Sequence, residues 1–289
     1  TYPVRLLLVA PDGSRALDRI VDMAIPTPEP GHELPFALPF FEAEIPVDGP
    51  AGRWRFQASI QSGAAATGGL VEFDVVDPAG MPAVGTDIVL FGEDPGLAAW
   101  LAEHAVVSRP WAPGALAQGT VVLAGANGVS GTSSEREAAC RELARQVEQG
   151  ARAVFLCPAV FAADGNPDAY LSMFAPGHQV SLNSWLYLMD VWAKDHPLFD
   201  GLQTGGLLDY RFYRDLIRDT AFAFDAVPDQ PVAGAINAAV NYGSGLMLSV
   251  HNLGEGRVTL TSFLVRETLG KHPAAERLLR NMLRHAATP

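Results

Sequence analysis

Cysteine is scarce in this chain. Its 289 residues include two, Cys140 and Cys157, and neither sits in a C-x-x-C pair. Two are too few for a disulfide framework, and they say little about compartment. Positive charge is also in short supply, with 20 Lys and Arg against 32 Asp and Glu, a formal net charge of -12. A surface of that sign repels phosphate backbones and anionic lipids, so neither nucleic acid nor a membrane surface is an expected partner. Long apolar runs are missing too. The longest, residues 153–163, is shorter than a bilayer span and contains Pro158. The N-terminal Thr-Tyr-Pro-Val-Arg has no initiator Met and no signal-peptide pattern, so a longer parent chain is expected.

What is present is a core. Apolar residues make up 48% of the chain, and the length suits two domains. The expected division is 1–78, an all-β part, and 79–289, an α/β part. Strands are expected at residues 4–9, 18–25, 41–47, 53–60 and 70–76. In the third, Phe41, Ala43, Ile45 and Val47 alternate with polar residues or proline. In the fourth, Trp54, Phe56, Ala58 and Ile60 share one face. Pro11-Asp12-Gly13 is a turn signal. Five strands fall short of the seven or so of an immunoglobulin-like sandwich, so this β-sandwich is expected to be incomplete at its N-terminus.

Beyond Asp77-Pro78-Ala79-Gly80 the period changes. Strands at 87–92, 120–124 and 151–157 alternate with helices at 97–104 and 133–149, the order of a parallel sheet covered on both faces. Thr132 and Glu135 form a capping box, overlapped by Ser134 and Glu137. Gly150 is placed to stop the helix. Residues 158–221 carry irregularly spaced apolar and aromatic side chains, which reads as long loops with short helices. Strands at 246–251 and 257–265 are joined by the hairpin Asn252-Leu253-Gly254-Glu255-Gly256. Pro273 opens a final helix whose apolar face is Leu278, Leu279, Met282, Leu283 and Ala286. Arg280 is expected on its opposite, solvent face.

No catalytic, cofactor-binding or metal-ligating residue is assigned from these patterns. The loop Gly125-Ala126-Asn127-Gly128-Val129-Ser130-Gly131 follows a strand and precedes a helix, as phosphate loops do. Its spacing is wrong for G-x-G-x-x-G, and no Lys follows Gly131, so it reads as a structural turn. Cys157 ends a strand, but Pro158 after it has no N–H for an oxyanion hole, and no Gly flanks it. Cys140 shares a helix face with Leu143 and Val147 and reads as core. None of the seven histidines, His32, His104, His178, His196, His251, His272 and His285, forms H-x-H or H-E-x-x-H. His196-Pro197 reads as a cap. Glu42 and Glu44 share a solvent face and read as solubilising. Trp54, Trp100, Trp111, Trp185 and Trp192 serve a core if buried and a sugar if they form an exposed row.

Several strings together resemble a family. His196-Pro-Leu-Phe-Asp-Gly-Leu202, then Gly205-Gly206-Leu-Leu-Asp209-Tyr210 and Tyr213, are similar to a stretch of glutamine-amidotransferase-like domains, related to ThuA-like proteins, of bacterial glycosidases. The stretches 254–258, 264–270 and 273–281 are similar to the ends of such domains. They occur at the C-terminal end of enzymes resembling glycoside hydrolase family 2, after β-sandwich domains such as the one that Gly52-Arg53-Trp54-Arg55-Phe56 resembles. The resemblance implies a flavodoxin-like parallel-sheet domain and a parent glycosidase of the β-galactosidase, β-mannosidase or β-glucuronidase type. Such a parent cuts glycosidic bonds with two carboxylates on a (β/α)8 barrel, which this chain does not contain. An active amidotransferase domain carries a Gly-flanked Cys with His and Glu partners, and Cys157-Pro158 departs from that pattern. The expected role is therefore a non-catalytic accessory region of the hydrolase, without cofactor. Its partners would be the catalytic domain of the parent enzyme, another subunit of a homo-oligomer, or a carbohydrate. The resemblance is compatible with export of the parent to the periplasm or outside of a bacterium. The rival readings are a sugar-binding module and an independent small hydrolase built on the α/β domain.

Overall fold

The computed structural model describes residues 1–31, 33, 39–64, 68–125, 129–156, 174–175, 177–182, 189–238 and 242–289. The chain falls into two compact units, Thr1–Gly80 and Met81–Pro289.

The first unit is an antiparallel sheet of β1 (Tyr2–Val9), β2 (Arg15–Met23), β3 (Gly52–Ile60) and β4 (Gly68–Val75), in the order β2-β1-β3-β4. Alternation sends Val4, Leu6 and Leu8 to the buried side of β1. Trp54 anchors a small core with Leu8 and Ala10, its ring 6.4 Å from that of Phe73. The other face carries cross-strand charges, such as Arg5 on Asp18 at 2.8 Å. At the β1–β2 turn the Ser14 amide donates to Asp12 Oδ1 at 2.9 Å, and Gly13 takes φ +86°.

Two expectations fail in this unit. Four strands form among the described residues, not five. Residues 41–47 are irregular despite their alternation. Pro46 removes a ladder donor within that stretch, and Pro39 and Pro50 flank it. Ile45 still packs against the Trp54 core.

The second unit is built on one mixed sheet. Its strands are β5 (Ile88–Phe91), β6 (Ser108–Pro110), β7 (Val121–Ala124), β8 (Arg152–Phe155), β9 (Gly177–Ser181), β10 (Asp190–Ala193), β11 (Gly206–Leu207), β12 (Thr220–Phe224), β13 (Gln230–Ala238), β14 (Tyr242–Leu253) and β15 (Gly256–Thr261). The order is β11-β10-β13-β14-β15-β8-β7-β5-β6, with β12 pairing β14 and β9. From β15 to β6 the neighbours are parallel. The strands expected to be parallel, β5, β7 and β8, are so, whereas from β11 to β15 the neighbours are antiparallel, the expected 246–265 hairpin among them, and the sheet as a whole is mixed. The Gly254-Glu255 turn, with Gly254 at φ +60°, reverses the chain between β14 and β15 and makes the switch.

Side chains of the parallel strands alternate between two cores. Ile88, Val121, Leu123 and Val154 face α1 (Pro95–Glu103) and the last helix. Val89, Phe91, Val122, Ala124 and Phe155 face α2 (Ser133–Glu148). Among the described residues, the short helices α3 (Tyr210–Tyr213) and α4 (Val265–Thr268) precede α5 (Pro273–Ala287). The Thr132–Glu135 capping box is formed: the Glu135 amide donates to Thr132 Oγ1 and the Thr132 amide to Glu135 Oε2. Gly150, at φ +109°, ends α2. His272 Nδ1 accepts from the Ala274 amide and caps α5. The α5 stripe from Leu278 to Ala286 is buried as its spacing requires. Among the described residues no helix is long and apolar enough to cross a membrane.

Three features of this unit differ from expectation. The described residues of 158–221 include short helical segments as expected, the 3-10 turn Pro197–Phe199 and α3, but also β9, β10 and β11, and β12 starts there, where loops were expected. β13, Gln-Pro-Val-Ala-Gly-Ala-Ile-Asn-Ala, escaped notice because small residues carry weak strand propensity. They are small for a reason: a Cβ on Gly234 would lie 2.6 Å from the Trp192 indole. Arg280 is not on a solvent face but 8% exposed. It donates to Pro82 O at 3.1 Å and to Glu276, and its guanidinium lies 5.5 Å from the Trp100 ring centre.

Candidate functional site

Open α/β sheets hold ligands outside the carboxyl ends of their parallel strands. The carboxyl end of β5 leads into Asp94, which is 8% exposed. Its carboxylate accepts the Leu97 amide at 2.9 Å and caps α1. It also receives both Arg266 Nε and a terminal Arg266 nitrogen, at 2.7 and 2.5 Å. Hydrogen bonding to Asp94 is the main reason that the Arg266 guanidinium is held above its ordinary pKa. Gly125, after β7, stands against this pair: a Cβ there would meet the Asp94 carboxylate and come within 3.1 Å of Leu97 Cδ2. Residues 126–128 of the candidate phosphate loop lie outside the described residues. Its end, Gly131 at φ +128°, feeds the α2 cap.

Cys157 and Pro158 lie outside the described residues, as do His32 and Trp185. Cys140 is buried, and burial, then Glu137, pushes its thiol up to about 12, so it is a core residue without nucleophilic character. Ser249 Oγ and His251 Nε2 are 2.9 Å apart on one face of β14. This hydroxyl–imidazole pair was missed in the sequence, where only the S-x-H spacing on a strand signals it. Ser249 is 1% exposed, and burial pushes His251 down to about 4 against the opposing pull of Asp229. Asp229 accepts the Asn252 backbone and side-chain N–H groups. The hydroxyl and the imidazole satisfy each other, so the pair is a satisfied core contact.

Of the other histidines, His196 and His285 are neighbours, with ring centres 5.3 Å apart. His104 Nδ1 lies 2.7 Å from Trp100 O, and its Nε2 lies 3.6 Å from Glu276. His196 caps the 3-10 turn Pro197–Phe199, accepting from Leu198 N, and bonds Gln230. His178 is exposed on β9. No group of three or more His, Cys, Asp or Glu could hold a metal among the described residues. Glu42 and Glu44 are exposed.

The tryptophans divide by surroundings. Trp54 and Trp100 are buried. Trp111 is half-buried, its Nε1 donating to Gln146 at 2.8 Å and its ring set edge-on to Phe91. Trp192 is half-buried and lines a groove of about 590 Å³ together with Phe224, Ile236 and Tyr242. Tyr242 is 76% exposed, and Leu207, Val227 and Ile236 are exposed nearby in the strands and turns. In this groove aromatic side chains line an open surface of the second unit.

The strings that carry the glycosidase resemblance pack on one another. Asn281 Nδ2 of α5 donates to Leu198 O and Asp200 O, at 3.1 and 3.0 Å. Arg277 Nε donates to Asp200 O, Leu264 N to Leu216 O, and Tyr213 OH to Gln203 O. The Tyr213–Gln203 bond holds the 196–216 segment together, and the others tie it to the last helices.

No family model matches the chain. No curated protein matches it. Among solved structures it is similar to the exo-β-1,4-mannosidase Op5Man5 of Opitutaceae bacterium strain TAV5, at 14% identity and a TM-score of 0.40, over 70% of this chain and 36% of that one. It is similar to a β-galactosidase of Rahnella sp. R3, at 12% identity and a TM-score of 0.40, over 73% of this chain and 32% of that one. It is also similar to a cytoplasmic protein of Salmonella typhimurium LT2, STM1381, at 9% identity and a TM-score of 0.44, over 69% of this chain and 99% of that one. The chain thus spans about a third of the length of the two glycosidases, which stand among its structural neighbours at low identity.

Proposed function

We propose that this chain is a non-catalytic accessory region of a carbohydrate-active hydrolase of the β-galactosidase, β-mannosidase or β-glucuronidase type. In this reading it braces the catalytic domain or a subunit interface. The four-stranded sheet is read as part of an immunoglobulin-like sandwich, and the second unit as a flavodoxin-like, glutamine-amidotransferase-like domain. The observation that carries the accessory role is the Asp94–Arg266 pair. At the strand ends, where an α/β enzyme places its chemistry, the buried carboxylate is engaged by a guanidinium and by the α1 cap. A carboxylate so held is a poor general base. The link to glycosidases rests on the strings at 196–213 and 254–281, whose mutual packing gives them a structural part. The test is turnover of nitrophenyl glycosides by the chain alone, with no release expected.

One observation favours a second reading, a sugar-binding module: Trp192 and Tyr242 beside an open groove. Affinity electrophoresis through galactan and mannan separates the two. Retardation that disappears in Trp192→Ala supports sugar binding, and unretarded migration supports bracing.

A further inference from the structure

A second cavity, of about 720 Å³, lies at the opposite end of the parallel strands, between the start of β15, the last turns of α5 and the Pro197–Asp200 turn. Its lining includes Arg257, Arg284, His285 and Asn281. Asp200, which is exposed, is the carboxylate side chain among its lining residues, and Pro289, the last residue, lines it too. Arg152 stands beside the cavity, donating to Ala286 O and Thr288 O, while Arg257 donates to Thr288 O at 2.6 Å. These bonds cap the carboxyl end of α5 and use few of the five N–H donors of each guanidinium. No carboxylate pairs with Arg152, Arg257 or Arg284 among the described residues. In a chain of net charge -12 that concentration of unpaired cations is unusual.

Two buried polar atoms here lack partners. Asn281 is 3% exposed, and its Oδ1 accepts nothing. The amide is not reversed, because Nδ2 donates to two carbonyl oxygens that a flipped oxygen would face. His285 Nδ1 is also buried and unpartnered. Buried polar groups are seldom left so, and each unpaired one calls for a ligand group, a water or an ion. Burial, then the neighbouring His196, Arg257 and Arg152, pushes His285 down to about 4. The imidazole therefore senses the same positive field.

We infer that this cavity binds a small hydroxylated organic anion, a carboxylate or phosphate ester of a polyol. Arg257 and Arg284 hold the anionic group, and a ligand hydroxyl donates to Asn281 Oδ1. The anion follows from the guanidiniums, which match oxyanions in the plane of their fork. The hydroxyl follows from an acceptor without a donor. This site is independent of the strand-end region and of the accessory role, so either reading can fail alone.

The test is calorimetric titration of the whole chain with gluconate, glucose 6-phosphate and glucose, with thermal melting in parallel. Saturable heat and a raised Tm are expected with gluconate, with glucose 6-phosphate or with both, which tells carboxylate from phosphate, and none with glucose. Arg284 is exposed, so Arg284→Gln should fold, and it should weaken binding by about tenfold or more. Arg141→Gln, on the solvent side of α2, should leave it unchanged. Arg257→Gln gives a second arm should the first variant melt early. No saturable binding of either anion, equal binding of glucose, or affinity unchanged in both cavity variants would overturn the assignment.

Discussion

Arg266 donates two hydrogen bonds to Asp94 across 172 residues of sequence, tying the helix after β15 to the start of α1. Asp94 is almost sealed from solvent, while the Arg266 side chain keeps 23% exposure. Removing one partner leaves the other without its counter-charge, which typically costs about 3–5 kcal/mol when both are buried and less at a partly wet pair. Arg266→Ala should therefore lower unfolding free energy by about 2–3 kcal/mol in urea titration. Asp94→Ala should cost about 1 kcal/mol more, because the α1 cap goes with it. Additive losses in the double variant would show that the pair is not coupled.

The last helix yields a comparison between two of its residues. Leu283 is fully buried on the α5 stripe, so Leu283→Ala should cost about 2–5 kcal/mol. Arg280, which a helical wheel places with the solvent, lies under Trp100 and bonds Pro82 O. Arg280→Ala should cost about 1–2 kcal/mol through lost packing and hydrogen bonding. Urea midpoints of the two variants check both figures. A neutral Arg280→Ala would show that these contacts do not form in solution.

How far this was legible depended on the range of the signal. Thr132-x-x-Glu135 and Pro273 with its leucine stripe are local patterns, and both helices formed where those patterns put them. The strand around Trp54 also announced itself by alternation, and those around Val4 and Leu70 by apolar runs next to turn signals. Residues 41–47 alternate as well, yet prolines left them without a ladder. β13 was invisible because its small residues answer to Trp192 on the neighbouring strand rather than to their own sequence neighbours. Arg280 was misplaced because nothing local announces Trp100, and the Asp94–Arg266 and Arg257–Arg284–His285 groupings exist only once distant segments meet.

Acid should weaken the fold before carboxylates begin to titrate. His251 and His285 are held near 4 in the folded chain, against an ordinary value of 6.5. Between those values the unfolded chain binds more protons, so stability falls as pH drops through 6.5 towards 4. For the sealed His251 the loss at pH 5 is up to about 2 kcal/mol, and it is smaller for the half-buried His285. Asp18 and Glu142, held at about 2, contribute to acid loss only at lower pH. Urea midpoints at pH 7 and pH 5 should differ, and His251→Gln should flatten that difference. An unchanged midpoint would mean that His251 is not buried neutral.

Limited proteolysis should cut first at residues 77–84, where packing divides between Thr1–Gly80 and Met81–Pro289. Mass spectrometry of the earliest fragments locates the cut. Early cleavage within β14 or β15 would contradict the packing of the central sheet.

The accessory role meets its most direct test in turnover. The chain is incubated with nitrophenyl β-galactoside, β-mannoside and β-glucuronide, with Asp94→Asn run beside it, and release is followed across gel-filtration fractions. Because the strand-end carboxylate is engaged by Arg266, neither protein should release nitrophenol above the buffer rate. Release that coelutes with the chain and disappears in a folded Asp94→Asn would contradict the account and make Asp94 a catalytic residue.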